Sequence, residues 1–250
     1  MIARRDLLRL GPAALCAWAL AGESRAAIPD DGRFSARRWL RRHEEVARSL
    51  EAGRLTALQW HDAANVLARD VDVGEVAALI RASDRRPPES DDGHDPIKRF
   101  IRFRGEDGRP MALPYGVATF AFTPGRVITP HGHRHMVSAH MVLEGRVRIR
   151  TFDRLADQDG AMVVAPSLDV VGEPVHAAAM CDAKDNIHWF APRSPSAMTL
   201  DVIIDGLDPG QPRYVIQPVD VLGAGRIEGG RLSAPILGFE ESSQRYTADL

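Results

Sequence analysis

Three histidines carry the chemistry that can be read from this chain. His131 and His133 stand two residues apart in Thr129-Pro-His-Gly-His-Arg-His-Met136, and His188 stands in Asp185-Asn-Ile-His-Trp-Phe190. On an extended strand, residues i and i+2 project from the same face. His131 and His133 therefore offer two imidazoles to one ion, and a later strand lying alongside lets His188 complete a facial set of three. Imidazole suits iron, nickel, copper and zinc alike, so the donor type leaves the metal open.

The elements that must position these groups follow from the patterning. Residues 34–83 read as helices. Trp39, His43, Val46 and Leu50 recur at helical steps until Gly53. Thr56-Ala-Leu-Gln59 has the form of a capping box, and Asp72-Val-Gly-Glu75 repeats it. Arg85-Arg-Pro-Pro-Glu-Ser-Asp-Asp-Gly93 is a polar linker. From residue 97 the pattern changes to short strands between Gly and Pro turns, at 100–104, 117–122, 136–143, 146–152, 187–190 and 198–204. Residues 214–221 and 226–237 add late strands, and 240–246 a final helical turn. The strand is expected to bend at His135, which removes that side chain from the ligand set, and His140 is expected to point inward as a pocket residue. His43, His61, His94 and His176 read as surface or second-layer residues, Glu144 as a solvent-facing turn residue, and Cys181 as a small half-buried apolar residue.

A His-x-His pair, a Leu143-Glu-Gly145 turn and a downstream lone histidine make up the metal-site signature of the cupin barrels. The fold class expected is accordingly mainly β, a single cupin (double-stranded β-helix or jelly-roll) barrel with an N-terminal helical region. Many metal cupins add a glutamate four or five residues past the second histidine. This chain has Val137 and Ser138 there. Three neutral donors leave a divalent ion its full charge, which favours anionic ligands and thiolates above all, because a metal deprotonates a bound thiol.

The chain resembles the cysteamine dioxygenases and plant cysteine oxidases, three-histidine iron thiol dioxygenases. Their first motif is similar to His131-Gly-His133, Met136, Leu143-x-Gly145, Ile149 and Phe152-Asp153. Their second is similar to Asn186-Ile-His188-x-Phe190, Pro195 and Leu200-Asp201-Val202. The likeness covers roughly residues 97–205. It implies one mononuclear Fe(II) held by His131, His133 and His188, with Zn, Ni or Mn as other occupants of such a set. It also implies that Asp201 serves catalysis beside the metal, and that a small thiol and O₂ react to give a sulfinate. Where that family carries a tyrosine, this chain has Asp205-Gly-Leu207. The alternative from another class is a non-catalytic metal-bearing cupin that binds a small ligand.

Composition bounds the partners. Lys and Arg number 32 against 34 Asp and Glu, which leaves no basic excess for nucleic acid. The N-terminus reads as a twin-arginine signal over residues 1–26: Arg4-Arg5, an apolar run from Leu10 to Ala21, and the small-x-small site Ser24-Arg-Ala26. The run is shorter than the roughly 20 residues a bilayer span needs, so no integral membrane association is expected. The expected organisation is the signal, a helical region at 27–84 and the barrel with its C-terminal strands at 97–240, in a periplasmic or secreted protein, with a homodimer left open. Past residue 26 one cysteine, Cys181, remains, which excludes an internal disulfide in the processed chain. Twin-arginine export carries folded proteins, which suits metal loading before export. Replacing Arg4 and Arg5 by lysine is expected to hold uncleaved precursor in the cytoplasm; unchanged cell fractionation would remove the twin-arginine reading.

Overall fold

The computed structural model describes residues 33–89 and 93–247; the expected signal segment lies outside them. Three helices come first: α1 (Ala36–Glu51), α2 (Ala57–Arg69) and α3 (Val73–Arg81). Helix α1 stops where the sequence expects. Gly53 takes a positive φ of 65°, and Arg54 N–H and Gly53 N–H bond back to the carbonyls of Ser49 and Leu50, a Schellman closure. Helix α2 begins with the complete Thr56/Gln59 capping box. The second expected box is only half formed. Asp72 accepts from Glu75 N–H, but the Glu75 carboxylate accepts from Ala36 N–H at 2.9 Å instead. It thus caps the first turn of α1, a distant demand on backbone donors that local spacing does not reveal.

The strands are β1 (Asp84–Arg85), β2 (Ile97–Arg102), β3 (Gly116–Phe122), β4 (Ile128–Arg134), β5 (Met136–Glu144), β6 (Val147–Gln158) and β7 (Ala161–Gly172). They continue with β8 (Ala177–Met180), β9 (Ile187–Pro192), β10 (Ala197–Asp205), β11 (Val215–Pro218), β12 (Gly225–Arg226) and β13 (Leu232–Pro235), and a short helix α4 (Phe239–Arg245) follows. One sheet has the order β1-β2-β3-β10-β5-β8 and the other β11-β4-β9-β6-β7-β13-β12. Between β3 and β10, the eight core strands split as 3-10-5-8 against 4-9-6-7, all antiparallel. First pairs with last and the chain winds inward, which is the jelly-roll, double-stranded β-helix order. The expected fold class is thus met. Strands β7 and β8 had no counterpart among the expected strands. The solvent-side residues of β7 and the alanine-rich Ala177–Met180 give a weak period-2 signal.

Strand parity sorts the side chains into layers. On β5 and β10, Val137, Ala139, Met141, Leu143, Leu200, Val202 and Ile204 face outward and pack with Trp39, Leu40, Trp60 and Leu67 of the helices. The opposite outer face, with Phe152, Met162, Ile187 and Trp189, is covered by the C-terminal residues Val219, Ala234, Leu237 and Tyr246. Inside the barrel, Phe122, Val142, Ile149, Met180 and Phe190 plug one end. Burial of a single such side chain contributes about 1.5–3 kcal/mol. The helices are also fastened by polar contacts: Tyr115 Oη donates to Leu40 O at 2.9 Å, and Ala179 N donates to Asn65 Oδ1 at 3.2 Å.

His61, expected at the surface or in a second layer, ties helix to sheet. It is buried, with Nε2 3.0 Å from Asp185 Oδ2 and Nδ1 3.0 Å from Asp62 Oδ1. Asp185 also accepts from Thr151 Oγ1 at 2.7 Å and Ser167 Oγ at 2.5 Å, and it immediately precedes the Asn186-Ile-His188 run. Helix α2 is thereby tied to the turn that leads into β9. Burial opposes the charge on His61, but the bonds and charges of Asp185 and Asp62 outweigh it and hold its pKa above the ordinary value. A raised folded-state pKa contributes stability that is fully present below about pH 6.5 and is lost as pH rises through the folded value. His61→Gln is expected to cost about 1–2 kcal/mol at pH 5.5, with the gap to the parent narrowing by pH 8.5. Urea unfolding at the two pH values measures it, and a gap that widens with pH would contradict this assignment.

Candidate metal centre

Strand β4 runs beside β9 with His131 directly opposite His188. His133, two residues on, shares the inward face, and the three imidazoles offer nitrogens that all lie within 4.8 Å of one another. His131 Nδ1 donates to Thr129 O at 2.8 Å, which leaves Nε2 as the lone-pair nitrogen turned toward the cluster. His188 Nδ1 sits 3.3 Å from Asn186 O in the same sense. His131 Nε2 and His133 Nε2 are 3.0 Å apart. Bonds of about 2.0–2.1 Å to one ion put neighbouring imidazole nitrogens about 3 Å apart, so the spacing suits shared coordination. Burial drives the imidazoles toward neutrality. It lowers His131 to about 4, against a backbone bond that raises it, and it holds His133 and His188 well below the usual value, with the neighbouring histidines adding to the effect. Neutral imidazole is the ligating form. The residues present therefore fit a mononuclear metal.

The intervening Gly132 has a packing reason. A Cβ there would lie 2.6 Å from Asn186 Oδ1, because the Asn186 side chain lies across this residue and its Nδ2 donates to His133 O at 2.8 Å. The two histidine motifs are thus locked together by one amide. At the far end, Gly145 has a φ of 71°, and a side chain there would run into Ser196 O at 2.2 Å.

His135 has a φ of 62° at the β4–β5 bend and turns toward Asp208, 3.5 Å away, outside the cluster. His140 is buried in the barrel, its Nδ1 3.0 Å from Thr199 Oγ1 and its Nε2 3.3 Å from Asp201 Oδ2. Asp201 faces His140 across β10 and β5 and accepts from Ala139 N at 3.1 Å. Burial lowers His140 to about 3. Burial raises Asp201 to about 7, against the charge of Lys98 and the backbone bond from Ala139. Among the described residues Asp201 is not part of the histidine cluster. Cys181 is buried, and burial pushes its thiol pKa up. His43, expected at the surface or in a second layer, is buried in the helix–sheet core, where burial lowers it to about 3.

A cavity of about 330 Å³ opens over the three histidines, with His140 and Asp201 in its wall. Sequence reasoning missed several of its lining residues: Lys98, Phe100, Phe120, Tyr214 and Phe239. Parity could have found the first. On β2, Ile101 and neighbouring Phe103 face the helices, so Lys98 and Phe100 face the barrel, but the expected strand began at 100. Tyr214 and Phe239 come from segments that reach the mouth only through the tertiary fold.

No protein-family model and no curated protein sequence matches the chain. Among solved structures it is similar to a sugar phosphate isomerase from a cupin superfamily of Silicibacter pomeroyi, at 18% identity and TM-score 0.37, over 65% of this chain and 92% of that one. A Klebsiella pneumoniae protein with a double-stranded β-helix domain aligns at 14% identity and TM-score 0.33, over 52% and 90%. An oxalate oxidase in complex with glycolate aligns at 12% identity and TM-score 0.35, over 52% and 59%. The fold assignment rests on the strand order above, and the metal assignment on the three imidazoles.

Titration of the metal-free protein is expected to saturate at about one divalent ion per chain. His131→Ala, His133→Ala and His188→Ala should each nearly abolish binding, and His135→Ala should leave it intact. Gly132→Ala, by forcing Asn186 away, should weaken binding about 10–100-fold. Emptying of the site by His135→Ala, with His131→Ala still loaded, would show that the ligand register is wrong.

Proposed function

We propose that this protein is a mononuclear non-haem iron thiol dioxygenase, an exported enzyme that oxidises a small thiol to a sulfinate. One observation carries the reading: the cluster at the base of the cavity is three neutral imidazoles with no carboxylate among the described donors. A divalent ion held there keeps its charge, and a thiolate is the ligand that gains most from it. The motif resemblance over residues 97–205 and the Asn186-Ile-His188 match point the same way. When bound, Fe(II) would supply the acidification of the thiol and the redox chemistry of oxygen. The reaction RS⁻ + O₂ → RSO₂⁻ balances with no further reductant.

The chain's own residues have definable parts in this. His131, His133 and His188 hold the ion. Phe100, Phe120, Ile128 and Ile216 make much of the cavity wall apolar and exclude water, which strengthens the interaction of charges inside. Asp201 Oδ2 stands 3.3 Å from His140 Nε2, and burial raises the Asp201 pKa to about 7. Thr199 fixes the imidazole from its other side, and Asp201 is the group able to hold a proton beside the substrate near neutral pH. Asp201 orients a substrate group or a bound water from that position. Among the described residues no helix is long and apolar enough to cross a membrane.

The test is anaerobic loading with Fe(II), addition of cysteamine, cysteine or a short peptide with N-terminal cysteine, and then admission of oxygen. One O₂ should be consumed per thiol, with a product heavier by two oxygen atoms. Asp201→Asn should retain iron and slow turnover about 10–100-fold. Absence of both thiol-induced spectral change and oxygen uptake would overturn the proposal and leave a ligand-binding metal cupin.

A further inference from the structure

Among the described residues lining the cavity, Lys98 is the one Lys or Arg. Its position is built rather than incidental. It lies on β2 opposite Phe120 of β3, and its Nζ stands 4.7 Å from the Phe100 ring centroid and 5.7 Å from that of Phe120. The two rings hold the ammonium against the wall by cation–π attraction. Its ion-pair partner is Glu89, 3.1 Å away, whose side chain is half exposed at the rim. Glu89 also donates its backbone N–H to Lys98 O, at 3.3 Å, which keeps the carboxylate beside the lysine.

Glu89 is the carboxylate that forms an ion pair with this cation, and the charge of Lys98 also reaches the buried Asp201. Asp205 is paired with Arg213. A half-exposed glutamate is an exchangeable counter-ion, because it regains hydration when it is released. The cavity therefore has two complementary ends: a histidine cluster that takes an electron-pair donor, and a fixed ammonium whose carboxylate can be replaced by one from a ligand.

We propose that Lys98 is the recognition site for a carboxylate on the substrate, which displaces Glu89, so that the protein selects small thiol acids over neutral thiols and aminothiols. This rests on the thiol reading above for the nature of the metal-binding end; the acid end rests on Lys98 alone. Glu89 is then an internal mimic of the substrate's acid group and sets how tightly that group must bind to enter.

The experiment uses the full chain loaded with Co(II), whose visible spectrum reports thiolate binding without turnover. It is titrated with 3-mercaptopropionate, 2-mercaptoethanol and cysteamine, and calorimetry follows the thiol-free 3-hydroxypropionate. In the parent, 3-mercaptopropionate should bind tightest. Lys98→Gln should weaken it on the order of tenfold or more and leave 2-mercaptoethanol unchanged. Glu89→Gln should tighten it several-fold, and this second variant keeps the test decisive if Lys98→Gln folds poorly. If the thiols perturb the cobalt but the acid gives no advantage, cysteamine binds tightest, or neither variant alters the order, the Lys98 assignment is overturned and the thiol reading stands. If no thiol perturbs the cobalt yet 3-hydroxypropionate binds in a Lys98-dependent way, the assignment stands and the thiol reading falls. If neither the thiols nor the hydroxy acid binds, both fall.

Discussion

The contact on which this site depends is the Asn186 amide laid over Gly132. Its Nδ2 bonds His133 O at 2.8 Å, and only a residue without a Cβ leaves room for its oxygen. That contact joins the β4 segment carrying His131 and His133 to the β9 segment carrying His188. A slip of one residue between these strands would turn the paired histidines to the outer face. The register that places His131 opposite His188 is therefore a condition for any shared ligand, and the rest of the molecule supports it. The C-terminal segment packs behind β9, and Asp185, immediately before Asn186, is held by His61, Thr151 and Ser167.

The second condition is dryness. Both outer sheet faces are covered and one barrel end is plugged, so the imidazoles lie where a proton is poorly solvated. Lowered basicity in His131, His133 and His188 means that little proton competition opposes a cation. The same burial raises Asp201 to about 7. One environment thus moves the basicity of His140 down and the pKa of Asp201 up. The cavity wall combines apolar residues with the three histidines, Asp201 and the Lys98 ammonium.

Much of this was legible in the sequence because it rests on short-range rules. Strand parity placed His131 and His133 together, the Thr56/Gln59 box and Gly53 marked helix ends, and the bend at His135 removed that residue from the cluster. What escaped has a common cause. Strand β8 is four residues of mostly alanine, and the outward side of β7 is largely solvated, so neither carries a clear apolar period. Glu75 caps α1 and His61 grips Asp185 across large sequence separations, which no local pattern encodes. Lys98, Tyr214 and Phe239 reach the cavity only after the sheets close, and a lone lysine on a strand edge reads as solvated until its neighbours Phe100 and Phe120 are known.

The central claim is that three neutral imidazoles hold one iron that binds a thiolate directly. X-ray absorption at the iron edge of the anaerobic Fe(II) protein, before and after a thiol is added, tests it most directly. The account predicts imidazole scattering from three ligands before addition and a new sulfur scatterer at about 2.3 Å afterwards, both lost in His188→Ala. A first shell that includes protein carboxylate, or one that gains no sulfur with any thiol, would contradict it.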